Sequence, residues 1–196
     1  MAPLTRFRAG DDYVPTDMMK ASVPGTLLIT EGTQISQRSI GRKNVLGIWY
    51  PAQVAAWREI TDAVHAKGSC IWCQLWVLGR VSNPALLSEL GLKLLGPSSI
   101  ASSPDSPLPE EMSEKEIQEI SEDHRIAARN AIEAGFDGVW IQGGGGYLPD
   151  QFLQDVTNKR TDHWGGSIEN RARFPIEVTK AISQEIGSRK GQYPLV

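Results

Sequence analysis

Residues 51–76 have the sequence PAQVAAWREITDAVHAKGSCIWCQLW, in which an amphipathic segment is followed by an apolar one. Apolar side chains recur at helical spacing through the first part, with Pro51 at its start and Gly68 just past its end. This punctuation is typical of a helix. The second part is short and strongly apolar, as expected of a buried strand. The pattern predicts a helix over 53–67 that leads into a strand over 69–76.

The same alternation continues on both sides of this stretch. We predict strands over 26–30 and 138–141, and helices over 113–134, 149–153 and 168–186. Ser113 and Glu116 form a capping box, and Pro175 predicts a kink or a later start for the last helix. Residues 78–112, rich in Ser, Pro and Gly, are predicted to be irregular. If Met1–Leu4 end a first strand, the chain holds four β/α units around a parallel sheet.

Composition excludes several classes of protein. The 196 residues carry a formal net charge of −3, with 40% hydrophobic and 22% charged side chains. These are ordinary values for a globular domain, and the mild acidity argues against nucleic acid as a partner. No apolar run approaches the ~18 residues of a membrane span. The first residues also lack the apolar core of a signal peptide, so the sequence predicts a cytoplasmic protein that binds neither nucleic acid nor membrane.

The cysteines, Cys70 and Cys73, have the spacing of a redox or metal-binding pair. A redox pair needs a helix N-terminus, and a structural zinc site needs four ligands. Here both residues lie within the predicted strand over 69–76, where positions three apart point to opposite faces. The sequence therefore favours two core thiols and no metal site.

The histidines and the glycine run form no recognisable catalytic or phosphate-binding motif. The three histidines are far apart in the chain, and surface positions are the expectation for all of them: His65, His124 and His163. No Ser-His-Asp arrangement emerges. The run Gly143–Gly146 fits neither dinucleotide-binding nor P-loop spacing, so we interpret it as a turn.

Five blocks of the chain carry a family resemblance. They are APLTRFR at 2–8, ASVPGTLLITEG at 21–32, CQLW at 73–76, AARNAIEAGFDGV at 127–139 and WGGSIENR at 164–171. In order and spacing they resemble the NADH:flavin oxidoreductase (old yellow enzyme) family, up to about residue 186. The resemblance is closest to the fungal branch, which includes the aldehyde reductases and isomerases of ergot-alkaloid pathways.

The resemblance implies an α/β fold: a truncated (β/α)8 TIM barrel of about four β/α units, with residues 1–196 as the N-terminal half of an FMN-binding domain. In the family, FMN lies at the carboxyl ends of the barrel strands. By resemblance, residues of four segments would line the flavin or the substrate. Pro3, Leu4 and Thr5 would lie under the isoalloxazine ring, Gly32 would pass close to it, Gln74 would bind its pyrimidine edge, and Trp76 would face the substrate.

The chain departs from the family at its substrate-binding pair. The family has a His or Asn, then an Asn or His three residues later, which donate hydrogen bonds to the substrate carbonyl oxygen. Here Gln142 and Gly145 occupy these positions. An amide still donates, whereas glycine has no side-chain donor. Tyr147, the proton donor by resemblance, is retained.

Two further departures concern the length of the chain. Relative to the family, the segment between Asp17 and Ser22 is shortened, and the barrel half that holds the phosphate-binding loops lies beyond this sequence. The second departure counts against FMN binding. Together with Gln142 and Gly145, these features predict an inactive, truncated relative of the NAD(P)H-dependent flavin dehydrogenases. One alternative is a homodimer that rebuilds a barrel through its exposed edges and works as an FMN-dependent reductase or a non-redox isomerase. The other alternative is a non-enzymatic half barrel that binds a partner.

Overall fold

A parallel sheet forms the centre of the fold in the computed structural model, which describes residues 3–15 and 24–187. The strands are β1 (Leu27–Ile29), β2 (Thr33–Gln34), β3 (Leu46–Gly47), β4 (Cys70–Trp76), β5 (Leu95–Gly96), β6 (Glu110–Glu111) and β7 (Gly138–Ile141). The helices are α1 (Pro51–His65), α2 (Pro84–Glu89), α3 (Glu114–Glu133), α4 (Leu148–Leu153) and α5 (Ile168–Ile186).

Strand β4 organises the main sheet, because it pairs in parallel with β1, β2 and β7. Strand β3 extends the sheet from β2, and the parallel pair β5–β6 forms a small separate sheet. Helices follow the strands, as in a β/α barrel, but the sheet does not close within the described residues. The prediction of an α/β partial barrel is thereby confirmed.

The two faces of the sheet have different surroundings. Alternate strand residues, among them Leu28, Ile71 and Val139, are buried in one core with the apolar sides of α1, α3 and α5. The intervening residues point to the opposite, concave face because side chains alternate along a strand. On that face Leu27 is 49% exposed, and its register partner Cys70 is also exposed.

Most predicted elements are present close to their expected bounds. The Ser113–Glu116 capping box is formed at the start of α3. Helix α5 begins at Ile168, after Ser167, whose hydroxyl accepts a hydrogen bond from the Asn170 N–H. It continues through Pro175, so the later start that this proline predicted is wrong.

Two sequence predictions need correction. Residues 78–112 are not uniformly irregular, because Asn83 caps the short helix α2 and Leu95 pairs with Glu110 in the small sheet. The predicted first strand at Met1–Leu4 is not seen at Pro3 and Leu4, which lie in no strand. Residues 1–2 and the shortened segment between Asp17 and Ser22 lie outside the described residues.

Burial of the cysteines and histidines also differs from expectation in part. Cys73 is fully buried, and burial raises the pKa of its thiol to about 12. Cys70 is exposed, because it projects from the concave face, so the prediction of two core thiols is wrong for this residue. His65 and His163 are exposed as predicted. His124 is instead buried, because it lies on the side of α3 that packs against Phe174 of α5.

Candidate active site

Gln74 and Gln142 meet at the carboxyl ends of β4 and β7. The Nε2 of Gln74 donates to the Oε1 of Gln142 over 3.2 Å, and the Gln74 side chain is almost fully buried. The backbone of each residue is anchored. The Gln142 N–H donates to the carbonyl oxygen of Leu75, and the Gln74 N–H donates to the hydroxyl of Thr30 over 2.9 Å. The structure therefore brings together the residues predicted to bind the flavin edge and the substrate.

An aromatic pair lies on the same side of the sheet. The rings of Trp76 and Tyr147 are perpendicular, with centroids 5.0 Å apart, the edge-to-face geometry that aromatic pairs favour. Tyr147 is the N-cap residue of α4, and the pair packs in a small apolar cluster with Val45 and Leu78. The half-buried Tyr147 is thus held against a nearly buried tryptophan at the end of β4.

The Trp76 side chain leaves room only for glycine at position 32. A Cβ atom built at Gly32 would lie 2.6 Å from Cε3 and 2.7 Å from Cδ2 of the Trp76 indole. Carbon atoms pack at about 3.5–4.0 Å, so the indole occupies the space of any side chain at position 32. The predicted closeness of Gly32 to a flavin stays a prediction, whereas its contact with Trp76 is direct.

Gly145 lies beside both Gln142 and Tyr147. Its φ of +71° is in the left-handed region. A Cβ built there would be 3.3 Å from Cε2 of Tyr147 and 3.7 Å from Nε2 of Gln142. Gly146 also has a positive φ, and its N–H donates to Asp150. The glycine run is therefore a turn, as expected, and it carries one of the predicted substrate-binding positions to the Gln142 amide.

The segment that begins at Pro3 is tied to the residue before Gly32. The N–H of Arg6 donates to the buried carboxylate of Glu31 over 2.6 Å. Pro3 and Thr5 are partly buried, and Leu4 is 60% exposed. Their role under a flavin ring remains a prediction based on the resemblance.

Thr30 is the residue of this site that sequence reasoning missed. Its hydroxyl accepts the Gln74 N–H and lies 3.4 Å from the Thr33 hydroxyl. Both threonines are fully buried. A signal was available, because the strand predicted over 26–30 ends on a polar residue after three apolar ones.

A cavity of about 490 Å³ lies elsewhere, with Tyr13, Trp49 and Leu86 in its wall. It shares no lining residue with the group around Gln74. Throughout residues 3–15 and 24–187, no cluster of three or more His, Cys, Asp or Glu could hold a metal ion. Within the same ranges, every helix is too short or too polar to cross a bilayer.

The sequence matches the model of the NADH:flavin oxidoreductase / NADH oxidase family over residues 1–193. The chain belongs to this family. The match confirms the resemblance carried by the five sequence blocks, and it covers every residue of the site described above.

Two fungal relatives match nearly the whole of this chain. The chain is 54% identical to a chanoclavine-I aldehyde reductase of Penicillium roqueforti, over 96% of this chain and 53% of the relative. It is 48% identical to a probable inactive reductase of Epichloe festucae var. lolii, over 95% of this chain and 51% of the relative. The chain thus spans about half the length of the curated relatives it matches.

Solved structures of the family have the same fold. Old yellow enzyme from Pichia sp. superposes with a TM-score of 0.93 at 42% identity, over 97% of this chain and 53% of that one. Morphinone reductase superposes with a TM-score of 0.90 at 38% identity, over 98% of this chain and 56% of that one.

The residues at this site fit the ring of a flavin. The pyrimidine edge of an isoalloxazine presents an N–H between two carbonyl groups. The Gln74 amide offers a donor and an acceptor side by side, and it lies at the carboxyl end of a parallel strand, where barrels of this class bind ligands.

Proposed function

We propose that this chain forms the ring-binding and substrate-contacting part of an FMN-dependent oxidoreductase site with impaired substrate activation. The observation that carries the proposal is the grouping of Gln74, Gln142, Gly145 and Tyr147 at the carboxyl ends of β4 and β7. Family membership supports flavin as the cofactor class.

Each side chain has a role in this proposal. Once bound and reduced by NAD(P)H, FMN would supply the hydride. Gln74 holds the pyrimidine edge, and the Gln142 amide donates to the carbonyl oxygen of the substrate, which gains negative charge during reduction. The Tyr147 hydroxyl supplies the proton.

Impairment follows from the donor set. A family site has two side-chain donors for the substrate oxygen, whereas Gln142 is the single one in this pair and Gly145 contributes none. Loss of one preorganised donor to a developing oxyanion costs a factor of roughly 10²–10³ in rate. We therefore propose that the site reduces activated alkenes slowly or not at all.

We propose an α,β-unsaturated aldehyde of fungal alkaloid metabolism as the substrate class that this site derives from. Support comes from two relatives, one described as a chanoclavine-I aldehyde reductase and one as a probable inactive reductase. The two relatives are 54% and 48% identical to this chain. A relative described as a reductase and one described as a probable inactive reductase are therefore similarly close to it in sequence.

Reconstitution with FMN tests the proposal. The purified chain is titrated with FMN and then assayed for NADPH-dependent reduction of cinnamaldehyde, next to the Gln142→His/Gly145→Asn double variant. Because the chain spans only about half the length of its relatives, we expect weak FMN uptake by both proteins. We expect a rate at least about 10²-fold higher in the double variant. A wild-type rate equal to that of the double variant would overturn the impairment, and absence of FMN uptake would overturn the cofactor.

We propose, as a second candidate, that the chain forms a homodimer through its open sheet. The observation in favour is the concave face, where Leu27 is 49% exposed and Trp72 and Trp140 are only partly buried. A closed barrel removes exposed strand edges. Light scattering should give twice the mass of one chain, and Leu27→Asp should shift it to one; a folded wild-type monomer contradicts this candidate.

A further inference from the structure

The amide of Gln74 has a partner directly after the neighbouring strand β7, and this partner can set its direction. An amide can be turned to exchange the places of its oxygen and its nitrogen, so a buried glutamine recognises a ligand edge only if one orientation is fixed. The hydrogen bond from Gln74 Nε2 to Gln142 Oε1, 3.2 Å long, supplies such a constraint. It uses one of the two N–H groups of Gln74 and leaves its carbonyl oxygen and its second N–H.

Gln142 is itself suited to serve as the fixed partner. Its backbone N–H donates to Leu75 O over 3.0 Å, directly after the four-residue parallel pairing of β7 with β4. Its Nε2 lies on the side of Gly145, 3.7 Å from where a Cβ at that position would be. The two ends of the Gln142 amide therefore face different groups, the oxygen facing Gln74 and the nitrogen facing the space above Gly145.

We propose that Gln142 is a positioning residue for Gln74. By accepting one N–H of Gln74, its carbonyl oxygen turns the Gln74 amide so that the remaining N–H and the oxygen meet the imide edge of a flavin. This inference rests on the proposed function for the identity of the ligand, but the Gln74–Gln142 bond is independent of any cofactor. Gln142 would thus act on the flavin as well as on the substrate.

A double-mutant cycle separates this role from a purely substrate-binding one. The four proteins are the wild type, Gln142→Met, Gln74→Met and the double variant, and the measurement is the FMN dissociation constant from quenching of FMN fluorescence. We expect Gln142→Met to weaken FMN binding about five-fold, the equivalent of one net hydrogen bond. In the Gln74→Met background the same change should add less than about two-fold. Additive effects, or an unchanged dissociation constant in Gln142→Met, would overturn the proposal.

A second measurement needs no cofactor. Proton exchange of the Gln74 side-chain amide, followed by NMR in the apoprotein, should become faster in Gln142→Met and stay slow in Gln142→Glu, which keeps an acceptor oxygen. Gln118→Met is the matched control, because Gln118 is an exposed residue of α3. If the wild type binds no FMN, the proposed function fails while exchange still decides the role of Gln142. If exchange is unchanged in Gln142→Met, the positioning role fails whatever the cofactor.

Discussion

Gly32→Ala is the most direct test of how the site is packed. The new methyl group would lie 2.6 Å from the Trp76 ring and must reach about 3.5 Å to be accommodated. The indole cannot simply move away, because it is 4% exposed and packs against Tyr147 at a centroid distance of 5.0 Å. We therefore expect the whole Trp76–Tyr147 pair to shift.

Overpacking of this kind costs about 1–3 kcal/mol of unfolding free energy. Urea denaturation, followed by circular dichroism, measures the loss, and the near-ultraviolet spectrum reports displacement of the indole. Gly96→Ala is the matched control, because a Cβ there meets its nearest neighbours at an ordinary 3.4 Å. This control should stay within about 0.5 kcal/mol of the wild type.

A second variant connects the loss to the indole itself. In a Trp76→Leu background the ring is absent, so Gly32→Ala should cost at least about 1 kcal/mol less than in the wild type. Equal costs in the two backgrounds would refute the assignment of Gly32 to Trp76. So would an unchanged stability in Gly32→Ala alone.

Three other perturbations have expected outcomes. Burial lowers the pKa of His124 from 6.5 to about 4, so between these values the unfolded chain binds a proton that the folded protein does not. Urea titrations should show stability lost as pH falls through this window, by on the order of 3 kcal/mol, with a shallower slope in His124→Leu. The buried Arg160 donates to the carbonyl oxygens of Pro97 and Met112. Arg160→Met leaves both oxygens without this donor, so we expect the unfolding free energy to fall by about 3 kcal/mol. An unchanged unfolding free energy in urea titration would contradict this expectation. A thiol reagent should modify Cys70 in the native protein and Cys73 only in urea. The reason is that Cys70 is exposed, whereas burial raises the pKa of Cys73 to about 12. Two reactive thiols under native conditions would contradict the burial of Cys73.

The elements of the fold could be predicted because local periodicity determines them. The helix expected over 53–67 is α1, Pro51–His65, and the strand expected over 69–76 is β4, Cys70–Trp76. The order inside residues 78–112 could not be predicted, because β5 and β6 are two-residue strands whose pairing joins Leu95 to Glu110. No local pattern indicates so short a pairing across so long a loop.

The burial of His124 follows from its spacing to apolar residues in the helix. His124 follows Ile120 by four residues and precedes Ala127 by three, and both are buried. Residues at these spacings share one face of a helix, so periodicity alone would have placed the ring in the core. Its Nδ1–H donates to the Ile120 carbonyl oxygen over 2.8 Å, which satisfies one of its two polar atoms by a contact within the same helix.

For the candidate site, the positions of the residues could be predicted from the strand ends, but the contacts between their side chains could not. In the sequence, Gln142 and Gly145 count as two separate replacements, of which Gly145 alone removes a side-chain donor. In the structure they are one feature, since the Gln142 Nε2 lies 3.7 Å from a Cβ at position 145. An Asn introduced at 145 alone would bring an amide oxygen within reach of that nitrogen, and this oxygen would compete with the substrate for the Gln142 N–H. Recovery of activity should therefore require changing both residues together, and Gly145→Asn alone should give little of the gain of the double variant in the cinnamaldehyde assay.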